Sequence, residues 1–252
     1  MPPLNFSPPS VHKNSSILNP VVINELDLNN LAQFDGNASV CSSESDSNNY
    51  RTGHRIDKID CALNLPTVAT YNLRSFFPKA GNVKCDIIER KIDVAFLVEI
   101  WEKSEKKTHQ LEIEKMLETE GLKYISTARP TGWGGAAIIV NQEKFSLEKL
   151  NIIIPHNLEI IWGLLKTKAE DAKFKKIIVC SFYSPPNSRK NLKLTDHIVS
   201  TLQMLATQYP GCPMMLGADK NNMDIRPILN CGLRLKQVVV FSFSSKLSFL
   251  LL

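Results

Sequence analysis

Residues 214–222 read MMLGADKNN, an apolar run that ends in an aspartate and two asparagines. A short apolar run bounded by turn residues is typical of a buried strand, which we predict over 214–218. Asp219 and Asn221 follow that strand directly. Because polar residues at the end of a buried strand lie at the rim of a sheet, where ligands commonly bind, we interpret this stretch as one edge of a functional site.

Three other apolar runs end in the same way. They place Asn72 in TYNLRSF (70–76), Glu99 in AFLVEIW (95–101) and Tyr183 in CSFYSPPNS (180–188). Taken alone, each residue has an ordinary structural explanation, since Asn and Asp after a strand are usually turn residues and a lone Glu there is usually solvated. Four such strand ends in one chain make a shared site the stronger interpretation.

The remaining pattern predicts helices and strands in an irregular mixture. The predicted strands are 67–73, 94–100, 123–127, 136–140, 159–166, 175–184, 214–218 and 233–240, and the predicted helices are 82–90, 108–120, 194–208 and 224–229. Asn82 is the expected cap of the first helix, and Gly121 is expected to end the second. Strict alternation of strand and helix would indicate a doubly wound parallel sheet. Paired strands between the helices favour an α+β fold instead, a four-layer sandwich of two packed mixed sheets flanked by helices.

The ordered set of strand-end residues resembles the endonuclease/exonuclease/phosphatase superfamily, and YSPPNS (183–188) resembles its LINE-type retrotransposon branch most closely. The resemblance runs from about Thr67 to Val239 and includes RPTGWGGAAIIV (129–140), which is similar to the glycine-marked strand of the family. It implies a metal-dependent phosphodiesterase that nicks DNA. Glu99 and Asn72 would then hold Mg²⁺, with Mn²⁺ as the alternative ion.

The chemistry of phosphodiester cleavage accounts for these residue types. Cleavage requires neutralisation of charge on the phosphoryl oxygens and a nucleophilic water. Mg²⁺ prefers oxygen ligands and retains several waters, which suits a site with one carboxylate, Glu99. Asp219 is expected to orient or deprotonate the attacking water, while Asn221 and Tyr183 donate hydrogen bonds to the phosphate.

Four further residues are predicted to bind substrate. Asn187 belongs to the Tyr-x-Pro-Asn turn of the family pattern. Trp133 lies between two glycines and is the expected loop contact for bases, whereas Trp162 lies in an apolar run and is expected in the core. Arg189 and Lys220 are candidate phosphate contacts, with a solvated surface position as the alternative for each.

The sequence departs from the family pattern at three places. Arg74 stands where many relatives carry Asp or Asn, and the family's Gly-Asp-Phe-Asn has become Gly-Ala-Asp-Lys-Asn at 217–221. The final Asp and the Ser-Asp-His triplet have no counterpart, because residues 241–252 read FSFSSKLSFLLL. These differences predict a domain over 66–240 that is incomplete at its carboxyl-terminal end and impaired in catalysis. The tail is expected to cover the open sheet edge or to be aggregation-prone, and we favour the second.

Cysteine usage and hydropathy bear on localisation. The six cysteines are scattered without a CxxC pair, which argues against a zinc site or a disulfide framework and favours reduced thiols. The amino terminus has no signal-peptide pattern, and no stretch reaches the roughly 18–20 apolar residues of a membrane span. The sequence therefore predicts a nuclear or cytoplasmic protein that is neither secreted nor membrane-bound.

Charge is distributed unevenly along the chain. Residues 1–50 contain one basic and five acidic residues, so that 29 basic and 20 acidic residues, a balance of +9, fall in 51–252. That excess suits DNA as a partner, with a merely lysine-rich solvated surface as the alternative. Residues 1–65 are predicted to be disordered, apart from a weak docking strand or helix within 17–31. No protein partner is indicated.

Three functions remain as hypotheses. The first is a Mg²⁺-dependent nicking endonuclease domain of retrotransposon origin. The second is a catalytically inert product that binds nucleic acid weakly at most, as the absent Asp and His indicate. The third keeps the fold but hydrolyses phosphoinositides or sphingomyelin, which the retrotransposon-like YSPPNS disfavours.

Overall fold

The computed structural model describes residues 21–23, 65–102, 107–127, 133–186, 189–233, 235–239 and 247–251. The predicted disorder of residues 1–65 falls almost entirely outside these segments and stays a prediction. Within 17–31, residues Val21–Ile23 form a strand, which is one of the two forms expected there. Of the described residues, no helix is long and apolar enough to span a membrane.

The first sheet has five strands in the order β1–β2–β3–β5–β4. They are β1 (Val21–Ile23), β2 (Val68–Asn72), β3 (Val94–Val98), β4 (Leu122–Thr127) and β5 (Ala136–Asn141). β2 and β3 run parallel, with Asn72 opposite Val98, and the other neighbours are antiparallel. The sheet is therefore mixed, and β2 and β3 end at the same edge.

The second sheet has six strands in the order β10–β11–β9–β8–β7–β6. They are β6 (Phe145–Lys149), β7 (Glu159–Thr167), β8 (Lys176–Tyr183), β9 (Met214–Asp219), β10 (Lys236–Val239) and β11 (Leu247–Leu251). β8 and β9 are parallel, with Tyr183 opposite Asp219, and the other pairs are antiparallel. This sheet is also mixed.

Helices cover the outer face of each sheet. α1 (Ala80–Glu89) follows a 3₁₀ turn at Phe77–Lys79, and with α2 (Lys107–Glu118) it buries one apolar stripe against the first sheet. α3 (Asn191–Gln208) and the short α4 (Arg226–Leu229) pack on the second sheet. Leu194, Ile198 and Leu205 recur on one face of α3, as an amphipathic helix requires. The predicted four-layer sandwich is confirmed.

The core between the sheets explains one glycine of the sequence pattern. Phe96 and Ile138 of the first sheet pack with Val179 and Met215 of the second. Gly217 lies directly against Phe96, because a Cβ at this position would come 2.3 Å from Phe96 Cγ. Gly217 therefore allows the two sheets to approach each other immediately behind Asp219.

The structure corrects three local predictions. Asn82 lies inside α1, whose cap is Lys79 without a side-chain hydrogen bond, because the 3₁₀ turn starts the helix earlier. β6 is absent from the predicted strands, because it is partly exposed and its polar sequence, FSLEK, resembles a loop. Residues Leu247–Leu251 of the tail form a strand between β9 and β10, so they cover the edge of β9. Whether the tail is also aggregation-prone stays a prediction.

Candidate active site

Four strand ends meet where the two sheets face each other. Asn72 ends β2 and Glu99 follows β3, so parallel pairing carries both side chains to one edge of the first sheet. Tyr183 and Asp219 end the parallel strands β8 and β9 in the second sheet. The predicted residues thus come together from positions that are far apart in the sequence.

Hydrogen bonds from one amide join the acidic residues of this rim. Asn72 Nδ2 donates to Glu99 Oε1 at 2.9 Å and to Asp219 Oδ2 at 2.7 Å. Asp219 is 2% exposed, and its Oδ1 also accepts a hydrogen bond from the Asn221 backbone N–H at 3.2 Å. The two carboxylates are therefore held close together by neutral donors. We call Asn72, Glu99 and Asp219 the acidic cluster.

The backbone at the rim adopts sparsely populated conformations. Glu99 has φ 53°, and Arg74 and Ser75 have φ 46° and 95°. The Ser75 N–H donates to the Glu99 carbonyl oxygen at 2.9 Å, which ties the turn after β2 to the turn after β3. Left-handed conformations at residues other than glycine cost free energy and concentrate at functional sites. The strain falls where the Glu99 side chain turns toward Asn72.

The ionisation of Tyr183 responds to the acidic cluster. Burial raises the pKa of the Tyr183 hydroxyl, and the charge of Glu99 and a hydrogen bond to Glu99 raise it further. The negative charges of Asp219 and Glu159 act in the same direction. The phenol therefore stays protonated at neutral pH and remains a hydrogen-bond donor.

Asp219 is subject to opposing effects. Burial raises the pKa of its carboxyl group, and hydrogen bonds from Asn72 and from the Asn221 backbone lower it. Glu99 raises this pKa through its charge, while Arg74 lowers it. Arg74 is exposed, and its positive charge acts on Asp219 from the position at which the sequence departs from the Asp or Asn of the family pattern.

The unpartnered side-chain oxygen of Asn72 bears on whether the acidic cluster fits a divalent cation. Asn72 Oδ1 is buried and has no hydrogen-bond partner, although the Nδ2 of the same amide donates twice. A buried amide oxygen without a donor is costly unless a ligand or a cation satisfies it. Of the described residues, no three His, Cys, Asp or Glu side chains group as a metal site. Two carboxylates and one amide oxygen are nevertheless the ligand types that an ion with a preference for oxygen takes, although the Asn72 amide presents Nδ2 rather than Oδ1 to both carboxylates.

Asn221 joins the ends of β8 and β9. Its Nδ2 donates to the Ser184 carbonyl oxygen at 2.7 Å, and its backbone has φ 44°. Ser184 in turn donates from Oγ to Asn191 Oδ1 at 2.8 Å at the start of α3. Asn221 therefore supports the Asp219 turn, and its role toward phosphate stays a prediction.

The predicted substrate-binding residues lie in different surroundings. Asn187 is outside the described residues. Arg189 is exposed in the turn before α3, and Lys220 is half-exposed and acts electrostatically on Asp224. Trp133 is 64% exposed and packs against Trp101, with ring centroids 4.6 Å apart. Trp162 is buried in the core, as expected.

Sequence reasoning missed Glu159 as a residue of the site. Glu159 begins β7 opposite Tyr183 and is only 3% exposed. Its Oε2 accepts a hydrogen bond from the Gly135 backbone N–H at 2.6 Å. The available signal was a charged residue at the start of an otherwise apolar strand, whereas the predicted site residues follow their strands.

The described histidines are not joined to the acidic cluster. His109 stacks on Phe77 with ring centroids 4.1 Å apart, and His156 is exposed in the turn before β7. His197 lies on α3, where burial lowers its pKa. Within the part of the chain that the structure describes, no histidine side chain hydrogen-bonds to Asn72, Glu99 or Asp219.

Comparison with solved structures identifies the fold. A mannosyl-6-phosphatase of Bacteroides thetaiotaomicron aligns with 74% of this chain over 85% of its own, at 15% identity and a TM-score of 0.54. The human Nocturnin catalytic domain, solved with bound sulfate, aligns with 73% of this chain over 80% of its own, at 13% identity and a TM-score of 0.53. An endonuclease/exonuclease/phosphatase family protein of Bacteroides thetaiotaomicron aligns with 73% over 79%, at 15% identity and a TM-score of 0.53. No sequence-family model matches the chain, and no curated protein matches it.

Proposed function

We propose that this chain, which has the fold of the endonuclease/exonuclease/phosphatase proteins, is a divalent-metal-dependent phosphodiesterase that acts on DNA with impaired turnover. One observation carries the proposal. The buried, unpartnered Asn72 Oδ1 belongs to the amide that joins Glu99 and Asp219 at the meeting point of the two sheets. A buried site that combines two carboxylates with an unsatisfied amide oxygen suits a hard cation and a phosphate ester.

Each residue of the site has a proposed role. Glu99 and Asn72 hold Mg²⁺ or Mn²⁺, which when bound supplies positive charge to the phosphoryl oxygens. Asp219 orients the attacking water and accepts its proton on the carboxylate. Tyr183, whose hydroxyl stays protonated, donates a hydrogen bond to a phosphate oxygen, and the Asn221 amide assists it. Arg74 adds positive charge at the edge of the cluster.

The substrate class rests on charge. The chain carries 29 basic and 20 acidic residues beyond residue 50, which favours binding of a polyanion. DNA is the polyanion that the resemblance to retrotransposon endonucleases implies. Nuclear or cytoplasmic localisation is part of the same proposal.

The impairment follows from the surroundings of the acidic cluster. None of the histidines that the structure describes is hydrogen-bonded to the cluster, so we propose that none of these imidazoles supports a phosphate bound there. Catalytic residues that act as a unit are strongly non-additive, and the absence of one removes most of the rate. We therefore expect slow turnover.

Nicking of supercoiled plasmid tests the activity. Purified protein with Mg²⁺ or Mn²⁺ should produce open circles slowly, and EDTA should stop the reaction. Glu99→Gln and Asp219→Asn should each abolish nicking, because they remove a carboxylate without changing side-chain size. Glu89→Gln and Asp171→Asn make the same chemical changes at exposed positions and should leave the rate unchanged. Plasmid that stays intact under all metal conditions would overturn the proposed turnover.

A binding module without turnover is the second candidate. The separation of the described histidines from the cluster favours it. In that case a gel shift with DNA should weaken steeply with salt, because binding releases counterions. Binding should persist in EDTA and in Asp219→Asn, with no metal-dependent nicking in any variant.

A further inference from the structure

Two tryptophans form an aromatic surface beside the Glu99 turn. Trp101 follows Glu99 by two residues, and its ring meets that of Trp133 edge-on, at 4.6 Å between centroids and 65° between planes. Trp101 is half-buried, whereas Trp133 exposes 64% of its surface. Single exposed apolar residues are ordinary on protein surfaces. The exposure of a paired indole next to an acidic cluster calls for a structural explanation, and the contacts of the surrounding backbone provide one.

Two hydrogen bonds to the backbone fix the segment that carries Trp133. The Trp101 N–H donates to the Gly134 carbonyl oxygen at 2.8 Å, and the Gly135 N–H donates to Glu159 Oε2 at 2.6 Å. Gly134 and Gly135 have φ values of 81° and 87°, where other residues are strained. A Cβ on Gly134 would come 1.9 Å from Glu159 Oε2, so only glycine fits there. Buried Glu159 and two glycines therefore fix the backbone beneath an indole that remains open to solvent.

The anchor also connects the tryptophans to the acidic cluster. Glu159 pairs with Tyr183 across β7 and β8, and its charge contributes to the raised pKa of Tyr183. The charge of Glu99 also contributes to the raised pKa of Tyr183. A ligand that placed a phosphate at the cluster would bring its neighbouring groups to the tryptophan pair.

We propose that Trp101 and Trp133 form a stacking platform for an unpaired nucleobase, so that the preferred substrate is single-stranded or locally opened nucleic acid. The position of the phosphate rests on the proposed function, and the stacking itself does not. A nucleobase presents a flat π-face to an exposed indole, and every base has such a face, so binding is tolerant of sequence. Glu159 acts as a positioning residue, because it holds the platform without touching the base.

Binding of single-stranded oligonucleotides in EDTA tests the platform without requiring turnover. Anisotropy of a labelled ten-residue oligothymidylate and quenching of tryptophan fluorescence should both saturate. Trp162 is 1% exposed and should give a constant background in the quenching signal. Trp133→Ala should weaken binding roughly tenfold or more, and Trp133→Phe should retain most of the affinity. Gly134→Ala should also weaken binding, since the added methyl group shifts the backbone that carries Trp133 although both tryptophans are still present in the chain.

Competition experiments distinguish ligands that carry an unpaired nucleobase from other phosphate-bearing ligands. A matched oligouridylate should compete as well as oligothymidylate, because both present unpaired bases, while blunt duplex should compete poorly. Mannose 6-phosphate and inositol phosphate should not quench the fluorescence at concentrations that saturate with oligonucleotide. Equal quenching by a phosphosugar, equal affinity for duplex, or wild-type affinity in Trp133→Ala would each overturn the inference.

The two proposals fail in different ways. Saturable binding that depends on Trp133, together with intact plasmid in the nicking assay, refutes turnover and supports the platform. Metal-dependent nicking with an unchanged KM in Trp133→Ala refutes the platform and supports turnover. Thermal unfolding of Trp133→Ala should match that of the wild type, because an exposed side chain contributes little to the core.

Discussion

The side-chain amide nitrogen of Asn72 lies 2.7 Å from Asp219 Oδ2, although 147 residues separate them in the chain. Asn72 ends a strand of the first sheet and Asp219 ends a strand of the second. The contact therefore exists only when the two sheets are packed together. The candidate site therefore cannot form without the inter-sheet core.

The first prediction concerns the unpartnered oxygen of Asn72. If it helps to hold a cation, Mg²⁺ or Mn²⁺ should raise the melting temperature of the wild-type protein, since a ligand at tenfold over its dissociation constant stabilises by about 1.4 kcal/mol. Asn72→Ala should remove most of that rise. Asn82→Ala, a change to an exposed asparagine in α1, should leave it intact. Differential scanning fluorimetry with and without EDTA measures the effect, and an equal rise in both variants would contradict it.

The second prediction concerns the contact between the sheets. Gly217→Ala places a methyl group 2.3 Å from Phe96 Cγ, so it should lower the free energy of unfolding by about 1–3 kcal/mol through overpacking. Gly81→Ala is the matched control, because nothing lies within 4 Å of its Cβ. As a helical glycine it should instead gain about 0.5–1 kcal/mol. Urea denaturation compares the two, and similar values would argue against the close approach at Gly217.

Phe96 offers a second check on that contact. If the loss in Gly217→Ala arises from the Phe96 ring, a smaller side chain there should relieve it. The double variant Gly217→Ala with Phe96→Leu should then lose less than the sum of the two single changes. Additive losses would place the strain elsewhere.

The third prediction is a pH dependence of stability at Glu102. Burial raises the pKa of this carboxyl group, against hydrogen bonds from Tyr124 and Ser126 that lower it. The folded state therefore retains a proton that the unfolded state releases near pH 4.5. Because the folded state binds more protons in this window, stability should fall as pH rises from about 4.5 through the raised pKa.

Glu102→Gln isolates that contribution, because glutamine does not titrate. Denaturation of both proteins at several pH values between about 4 and 8 should give a steeper decline for the wild type. Glu143→Gln, which changes an exposed glutamate, should reproduce the wild-type slope. Parallel curves for the wild type and Glu102→Gln would show that this carboxylate is not the source.

Much of the site was predictable because its residues share one local signal. Asn72, Glu99, Tyr183 and Asp219 each follow an apolar run, and burial on both faces of β3 and β9 makes those runs continuous in sequence. Glu159 carries no such signal. Its local signal is only a charged residue at the start of an apolar strand, and its burial results from the approach of Gly134 and Gly135, which are distant in sequence, so the local pattern does not predict that burial. The paired ring of Trp101 was likewise visible only once the backbone was folded.

The sequence did not predict two strands of the second sheet, β6 and β11, for a different reason. β6 is half-exposed and carries serine, glutamate and lysine, so its alternation is weak. β11 consists of residues 247–251 in a serine-containing tail that differs from the family pattern, and its position depends on pairing with β9 and β10. Pairing between distant segments decides such strands, and local composition does not determine it.

The fourth prediction distinguishes the two expectations for the tail. Ser248 pairs with Ala218 on one side and with Val239 on the other, so β11 is an inner strand. Proline removes a backbone donor and is tolerated poorly inside a sheet. If the tail covers the β9 edge, Ser248→Pro should lower the free energy of unfolding by about 1–3 kcal/mol, because it removes a backbone donor from an inner strand, and should increase aggregation by exposing that edge. If the tail is instead only an aggregation-prone segment, the proline should reduce aggregation and leave stability unchanged. Urea denaturation and light scattering of the same samples separate these outcomes, since the two expectations differ in sign for aggregation.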